Sequence, residues 1–191
     1  MGADDSPWYR DPAARSLILR VYVPWLAALS LAWETVQLPL YTLWKQATPA
    51  YMAFAVAHCT IGDILIGALA LVLSLILTGA GSPAQWPRHR IISMTVIAAA
   101  SYTAFSEWTN TVLRPAWAYS QLMPTLRLAG VELGLSPLLQ WLVVPPLALY
   151  LARRTRISPR QQLKQKDHDG GQQSSDQHPT QQSETHHPGH H

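Results

Sequence analysis

One apolar run constrains this chain more than any other feature of its sequence. Residues 64–77 follow the sequence HCTIGD and contain nothing more polar than Ser74. Together with the residues before them they are long enough to cross the ~30 Å hydrocarbon core of a bilayer as a helix. His58 and Asp63, at the edge of this run, are costly to place in lipid and therefore need partners or a function. The run predicts a membrane helix that carries polar groups near one end.

The run belongs to one of four apolar segments, which cover about residues 20–41, 53–77, 91–112 and 135–151. Charged residues make up only 13% of the chain, about half of the ~25% that is typical of soluble domains. No segment alternates with the period of two that a strand requires, so strands are not expected. The sequence predicts an all-α fold, an integral membrane four-helix transmembrane bundle over residues 17–157 after a polar segment of residues 1–16.

Positive charge is distributed unequally between the two ends of these segments. If both termini are cytoplasmic, only Lys45, Arg114 and Arg127 of the fourteen Lys and Arg residues lie outside. Cytoplasmic loops carry the excess of Lys and Arg in membrane proteins, so the sequence predicts that both termini are cytoplasmic. The isoelectric point of about 9.2 therefore reflects membrane topology, and no nucleic-acid partner is expected.

Two segments outside the four spans have signatures of their own. Residues 113–134 form a long connection rich in aromatic and apolar residues, which is interpreted either as a lid or as a segment lying on the outer interface. Residues 158–191 contain eight Gln, six His and a single Leu, too little apolar surface to fold, so this tail is predicted to be disordered. Its histidines either bind a transition metal weakly or are solvated.

Polar residues converge at one end when the four segments alternate in direction. Glu34 lies late in the first segment, and Glu107 lies late in the third. His58 and Asp63 lie early in the second, so all four are predicted in the outer third of the bilayer. Six further polar residues are predicted near them, because each shares a helix face with one of them or lies at the same depth in the bilayer. These six are Gln37, Tyr41, Thr60, Asn110, Arg114 and Gln140.

Such a cluster needs compensation, because neighbouring carboxylates repel one another strongly at low dielectric. Protons, the Arg114 side chain or a bound cation could compensate the negative charge of these carboxylates. Asp, Glu and His are ligands of Fe, Mn, Zn and Cu, so Glu34, His58, Asp63 and Glu107 are candidate metal ligands and a transition metal ion is a candidate cofactor. This interpretation predicts a role in transport, redox chemistry or assembly.

Three other interpretations stay open at the level of sequence. Intramembrane Asp, Glu and His chains are typical of proton paths. A buried carboxyl group with a raised pKa is also suited to acid–base catalysis, here on a lipid or isoprenoid substrate. Alternatively, the polar residues hydrogen bond between helices in an accessory or scaffold subunit, with a membrane complex or a second copy as partner. The sequence does not decide whether the protein is an enzyme.

Four short sequences carry a resemblance to known proteins. They are WETVQLPLY at residues 33–41, HCTIGD at 58–63, FSEWTN at 105–110 and LSPLLQW at 135–141. Over about residues 20–150 the chain resembles a family of small bacterial four-helix inner-membrane proteins. The resemblance implies a bacterial source and a location in the inner (plasma) membrane, and it brings no activity with it. A looser likeness to the sterol-isomerase-like EXPERA membrane proteins, which use His, Glu and Asn between helices, departs from them in motif order and spacing.

Overall fold

The computed structural model describes residues 7–128 and 130–175, and this part of the chain is mostly helical. Its elements in chain order are α1 (Pro12–Leu40), α2 (Leu43–Gln46), α3 (Pro49–Leu77), α4 (Arg88–Trp108), β1 (Thr125–Leu128), β2 (Val131–Gly134) and α5 (Leu135–Ser175). Three helical stretches are long and apolar enough to cross a membrane: α1, α3 and Leu135–Thr155 of α5. The predictions of a mostly helical fold and of membrane-spanning helices are confirmed to this extent.

The fourth predicted span corresponds to α4, which has 21 residues but is more polar than the other three. It begins with Arg88, His89 and Arg90 and contains several Ser, Thr and Tyr residues, so it does not count among the spans that hydropathy identifies. That α4 also crosses the membrane stays a prediction.

The chain divides into two compact units, Met1–Arg154 and Thr155–His191. In the second unit the backbone is helical through Ser175. The predicted disorder of residues 158–191 stays a prediction, and its last part, residues 176–191, lies outside the described residues.

Helix α1 begins earlier than the predicted start near residue 20, because its first turn is well capped. The Asp11 carboxylate accepts a hydrogen bond from the Ala13 amide at 2.7 Å, and Pro12 occupies the first helical position. Both residue types favour a helix start at these positions. The helix then widens into a π-helical turn over Ile18–Tyr22 and closes with a 3-10 turn at Leu38–Leu40, where Pro39 prevents continuation.

Helices α1, α3 and α4 approach one another closely where their side chains are small. The Tyr22 hydroxyl donates to the Gly67 carbonyl at 3.4 Å, and Leu26 packs on the same glycine. Ala70 and Ala99 are buried together between α3 and α4. Small residues allow this close approach of membrane helices.

One face of α3 carries large apolar side chains that are exposed. Its members lie at intervals of three or four residues and include Ile61, Leu65, Leu69, Leu73 and Ile76. An apolar stripe of this length on a helix is the face that meets lipid when the helix crosses a bilayer.

The expectation that the chain has no strands was wrong for eight residues of the connection before α5. Strands β1 and β2 pair antiparallel, with Leu128 opposite Val131. The turn between them contains Gly130 at φ 81°, a left-handed conformation that glycine adopts without strain. Strands of four residues are too short to show an alternating pattern, so no periodicity could predict them.

We expect Gly67→Val to destabilise the protein by about 1–3 kcal/mol, the usual cost of overpacking a core. A Cβ atom at Gly67 would lie 2.8 Å from Leu26 Cδ2 and 3.3 Å from the Trp141 ring, and Leu26 is fully buried and cannot give way freely. Thermal unfolding of the purified protein in detergent measures the effect.

The matched control is Gly62→Ala in the same helix, where an added Cβ meets no atom within 4 Å. It should unfold at or slightly above the native temperature, because alanine is the better helix former. Equal melting temperatures for native protein and Gly67→Val would contradict the close packing described here.

Candidate functional site

A cavity of ≈ 370 Å³ lies where α1 ends and where α3 and α5 begin. Its wall is completed by the last turns of α4 and by the connection that follows α4. Its titratable side chains come from α1, α3, α4 and the connection after α1, and they are Glu34, Tyr41, Tyr51, His58, Cys59, Asp63, Tyr102 and Glu107. All four residues that the sequence identifies as candidate ligands therefore border the same space.

The six supporting residues are divided by the structure. Gln37, Tyr41, Asn110 and Gln140 line the cavity. Two others do not belong to its lining. Thr60 is buried nearby, and its hydroxyl has no hydrogen-bond partner among the described residues. Arg114 is exposed after the last turn of α4, so the structure does not place it as the cation that compensates the acids.

The carboxyl groups of Glu34 and Asp63 lie close enough to interact across the contact between α1 and α3. Two carboxyl groups can share a hydrogen bond only when one of them carries a proton. The Gln37 amide donates to Glu34 Oε1 at 2.6 Å, and the Gln140 amide donates to Asp63 Oδ2 at 2.5 Å. The pair is thus held between two amide donors, and a hydrogen bond between its two carboxyl groups would require one proton.

The direction of the Gln37 amide is fixed by a further hydrogen bond. Ser136 Oγ donates to Gln37 Oε1 at 2.9 Å, so the carbonyl side of the amide is occupied and its NH₂ side points at Glu34. Ser136 and Gln140 are four residues apart on α5 and therefore lie on one face of that helix. Gln140 contacts Asp63 directly, and Ser136 contacts Gln37, which in turn contacts Glu34. Helix α5 therefore orients the pair from two sides.

Glu107, on α4, has a separate donor from the connection after that helix. Tyr119 donates its hydroxyl proton to Glu107 Oε2 and accepts a hydrogen bond from the Gly134 amide at 2.9 Å. Burial, and the Glu107 carboxyl beside it, raise the pKa of Tyr119 above its ordinary value, so the phenol remains a donor. This bond attaches the connection and the end of β2 to the cavity wall.

The connection is also tied to the end of α1. Tyr41 and Tyr119 form an isolated antiparallel bridge, and their ring centroids lie 5.9 Å apart. Ser120 Oγ donates to the Pro39 carbonyl at 3.0 Å. Ala116 and Trp117 of this connection thus line one side of the cavity. The choice between a lid and a segment lying on the outer interface stays a prediction.

The cavity is open on the side between α3 and α4. Tyr51 and Tyr102, which line it from these two helices, are 53% and 54% exposed. His58 is exposed at the same opening and stacks on Phe54, with ring centroids 5.7 Å apart. Gly62 also lines the cavity, and an added Cβ there would meet no atom within 4 Å. His58 is accordingly a residue of the opening and not of the buried acid cluster.

The charged groups that line the cavity are mainly acidic. Among the described residues that line it there are three carboxyl groups and no Lys or Arg. Within residues 7–128 and 130–175, however, no group of three or more His, Cys, Asp or Glu side chains is arranged to hold a metal ion. The geometry gives no support to the metal site that Glu34, His58, Asp63 and Glu107 suggest in sequence.

Two residues that hold the acids or their donors from outside the cavity lining, Ser136 and Tyr119, were not identified in the sequence. Ser136 shares the face of Gln140, so helical spacing from the LSPLLQW motif would have revealed it. Tyr119 gives no comparable signal, because it lies twelve residues after Glu107, beyond the helical turns that end at Leu113, in a connection with no helical period. A scan of protein-family models and searches of curated proteins and of solved structures found no match for this chain.

We expect Tyr119→Phe to cost about 1–3 kcal/mol of stability, because it leaves an oxygen of Glu107 and the Gly134 amide without their partner. The connection should also loosen. Hydrogen exchange at the amides of residues 119–134, measured by mass spectrometry, should become faster while exchange in α3 is unchanged.

A suitable control is Tyr9→Phe, since Tyr9 is 53% exposed and lies away from the cavity. Unchanged exchange over residues 119–134 in Tyr119→Phe would show that its hydroxyl does not hold the connection in place.

Proposed function

We propose that this protein is a multi-pass inner-membrane protein that binds a monovalent cation, in the first place a proton, in the cavity, and that it serves in transport. The observation that carries the proposal is the convergence of Glu34, Asp63 and Glu107 from three helices on one space whose described lining has no Lys or Arg. With α1, α3 and the first part of α5 as membrane spans, which their length and apolar composition support, such a space would lie in a low-dielectric surrounding.

The sign of the charge selects a cation. In a medium of low dielectric the interaction between charges is several times stronger than in water, so an anion beside three acids is excluded unless all three are neutral. Each proton or other monovalent cation that enters reduces the repulsion among the acids. The cluster is therefore suited to bind positive charge reversibly.

The hydrogen bonds favour a proton over a metal ion. A metal would require both Glu34 and Asp63 to be deprotonated, with oxygen lone pairs free to coordinate it. Instead the two carboxyl groups lie beside each other, and each already accepts a hydrogen bond from an amide, Glu34 from Gln37 and Asp63 from Gln140. Intramembrane acids with this environment are typical of proton pathways.

The proposal includes a membrane arrangement. Helix α4 would be the fourth span, both termini would be cytoplasmic, and the cavity would lie in the outer leaflet. The excess of Lys and Arg beside the opposite ends of the helices supports this orientation. In this orientation five aromatic side chains form a belt at the outer interface, where amphipathic rings are enriched. They are Tyr41, Tyr51, Tyr102, Trp117 and Tyr119.

The shared proton can be observed directly by infrared spectroscopy. We expect detergent-purified protein at neutral pH to show the C=O stretching band of a protonated carboxyl group, which shifts in D₂O. Glu34→Gln and Asp63→Asn should each remove this band, because neither variant retains a carboxyl pair that must share a proton.

Glu132→Gln is the matched control, since Glu132 is an exposed carboxylate beside Arg127 and should leave the band unchanged. The absence of the band from native protein would exclude a carboxyl pair that holds a proton. Metal analysis of the same samples tests the alternative, and stoichiometric metal that disappears in Glu34→Gln would favour the metal interpretation instead.

A further inference from the structure

We infer that the ligand of this cavity is a lipophilic organic ammonium ion, which reaches the acids from the bilayer through the opening between α3 and α4. The inference rests on the proposed cation-binding function and names the class of cation. Three features of the cavity carry it: its aromatic lining, the apolar residues beside its acids, and the side on which it opens.

Aromatic rings make up an unusual share of the cavity wall. They come from α3, α4, α5 and both connections, and they are Tyr41, Tyr51, Tyr102, Trp117 and Trp141. The face of an aromatic ring attracts a cation, and cages of such rings recognise quaternary ammonium groups. Small metal ions instead require several oxygen or nitrogen ligands at short range, an arrangement that the described residues do not offer.

The remaining wall is suited to the apolar part of such a ligand. Leu38, Leu43, Ala55, Val56 and Ile66 line the cavity beside the acids. A volume of ≈ 370 Å³ lies within the range of pockets that hold small organic molecules. The cavity thus offers a charged end and an apolar end to one molecule.

The opening faces the surface that meets lipid. Phe54 and Ile61 on α3 and Phe105 on α4, near the opening, are each about 60% exposed. Large exposed apolar side chains on both neighbouring helices indicate that the opening leads into the bilayer. A molecule that uses it must first partition into lipid, which an amphiphilic ammonium ion does and a small inorganic cation does not.

Cys59 provides a native reporter for this cavity, because it lines the cavity and is the chain's one cysteine. We would reconstitute the full chain in nanodiscs of neutral phosphatidylcholine and measure the rate at which N-ethylmaleimide modifies Cys59. The probe ligands are benzyltrimethylammonium, its neutral isostere neopentylbenzene, and phenylmethanesulfonate as the anion.

The ammonium ion should protect Cys59 at a concentration at least about tenfold lower than neopentylbenzene, because only the cation interacts with the acids and the ring faces. Phenylmethanesulfonate should give no protection. Glu107→Gln should weaken protection by the ammonium ion by at least about tenfold and leave protection by neopentylbenzene unchanged.

Gly62→Leu tests the opening, since it fills space in which an added Cβ meets no atom within 4 Å. It should abolish protection by the ammonium ion without lowering the melting temperature. Leu65→Ala, at an exposed position of α3 outside the cavity lining, should retain protection at close to the native concentration.

Equal protection by benzyltrimethylammonium and neopentylbenzene would overturn the inference and leave a merely apolar pocket. Protection by phenylmethanesulfonate alone would assign the site to an anion and overturn it as well. If no probe protects Cys59 while the infrared band of the shared proton is present, the organic ligand is wrong and the proton-binding function stands.

Discussion

The contact between Glu34 and Asp63 is the interaction on which the rest of the site depends. Two acids placed together between apolar helices are tolerable only if a proton and hydrogen-bond donors neutralise and satisfy them. Gln37 on α1 and Gln140 on α5 supply the donors. These hydrogen bonds form only if the ends of α1, α3 and α5 lie at the same level. The acid pair therefore constrains the positions of the three helices relative to one another.

The two ends of the first unit differ in packing, and this difference creates the cavity. Toward one end, Gly67, Ala70 and Ala99 let the helices approach until Leu26 and Trp141 fill the space between them. Toward the other end the side chains are larger and more polar, and the helices leave a space among them. The connection over residues 113–134 covers part of that space, held by the hydrogen bond from Tyr119 to Glu107.

Much of this arrangement follows from patterns in the sequence, and the exceptions have physical reasons. Long apolar segments and alternating direction place Glu34, Asp63 and Glu107 at one end, and the structure brings all three to one cavity. The hairpin before α5 was missed because its strands have only four residues each. The exposure of Arg114 and the role of Tyr119 depend on the path of an irregular connection, which no periodicity describes. The metal interpretation was drawn from residue types alone, and those types do not fix whether oxygens face a common centre or each other.

A double-mutant cycle between Glu34→Gln and Asp63→Asn tests the central claim most directly. If the two carboxyl groups share a hydrogen bond inside the protein, the free energies of unfolding of the single and double variants should be non-additive by about 0.5–3 kcal/mol at neutral pH. Additive effects, with a coupling energy indistinguishable from zero, would mean that the two acids do not interact and would contradict the account of this site.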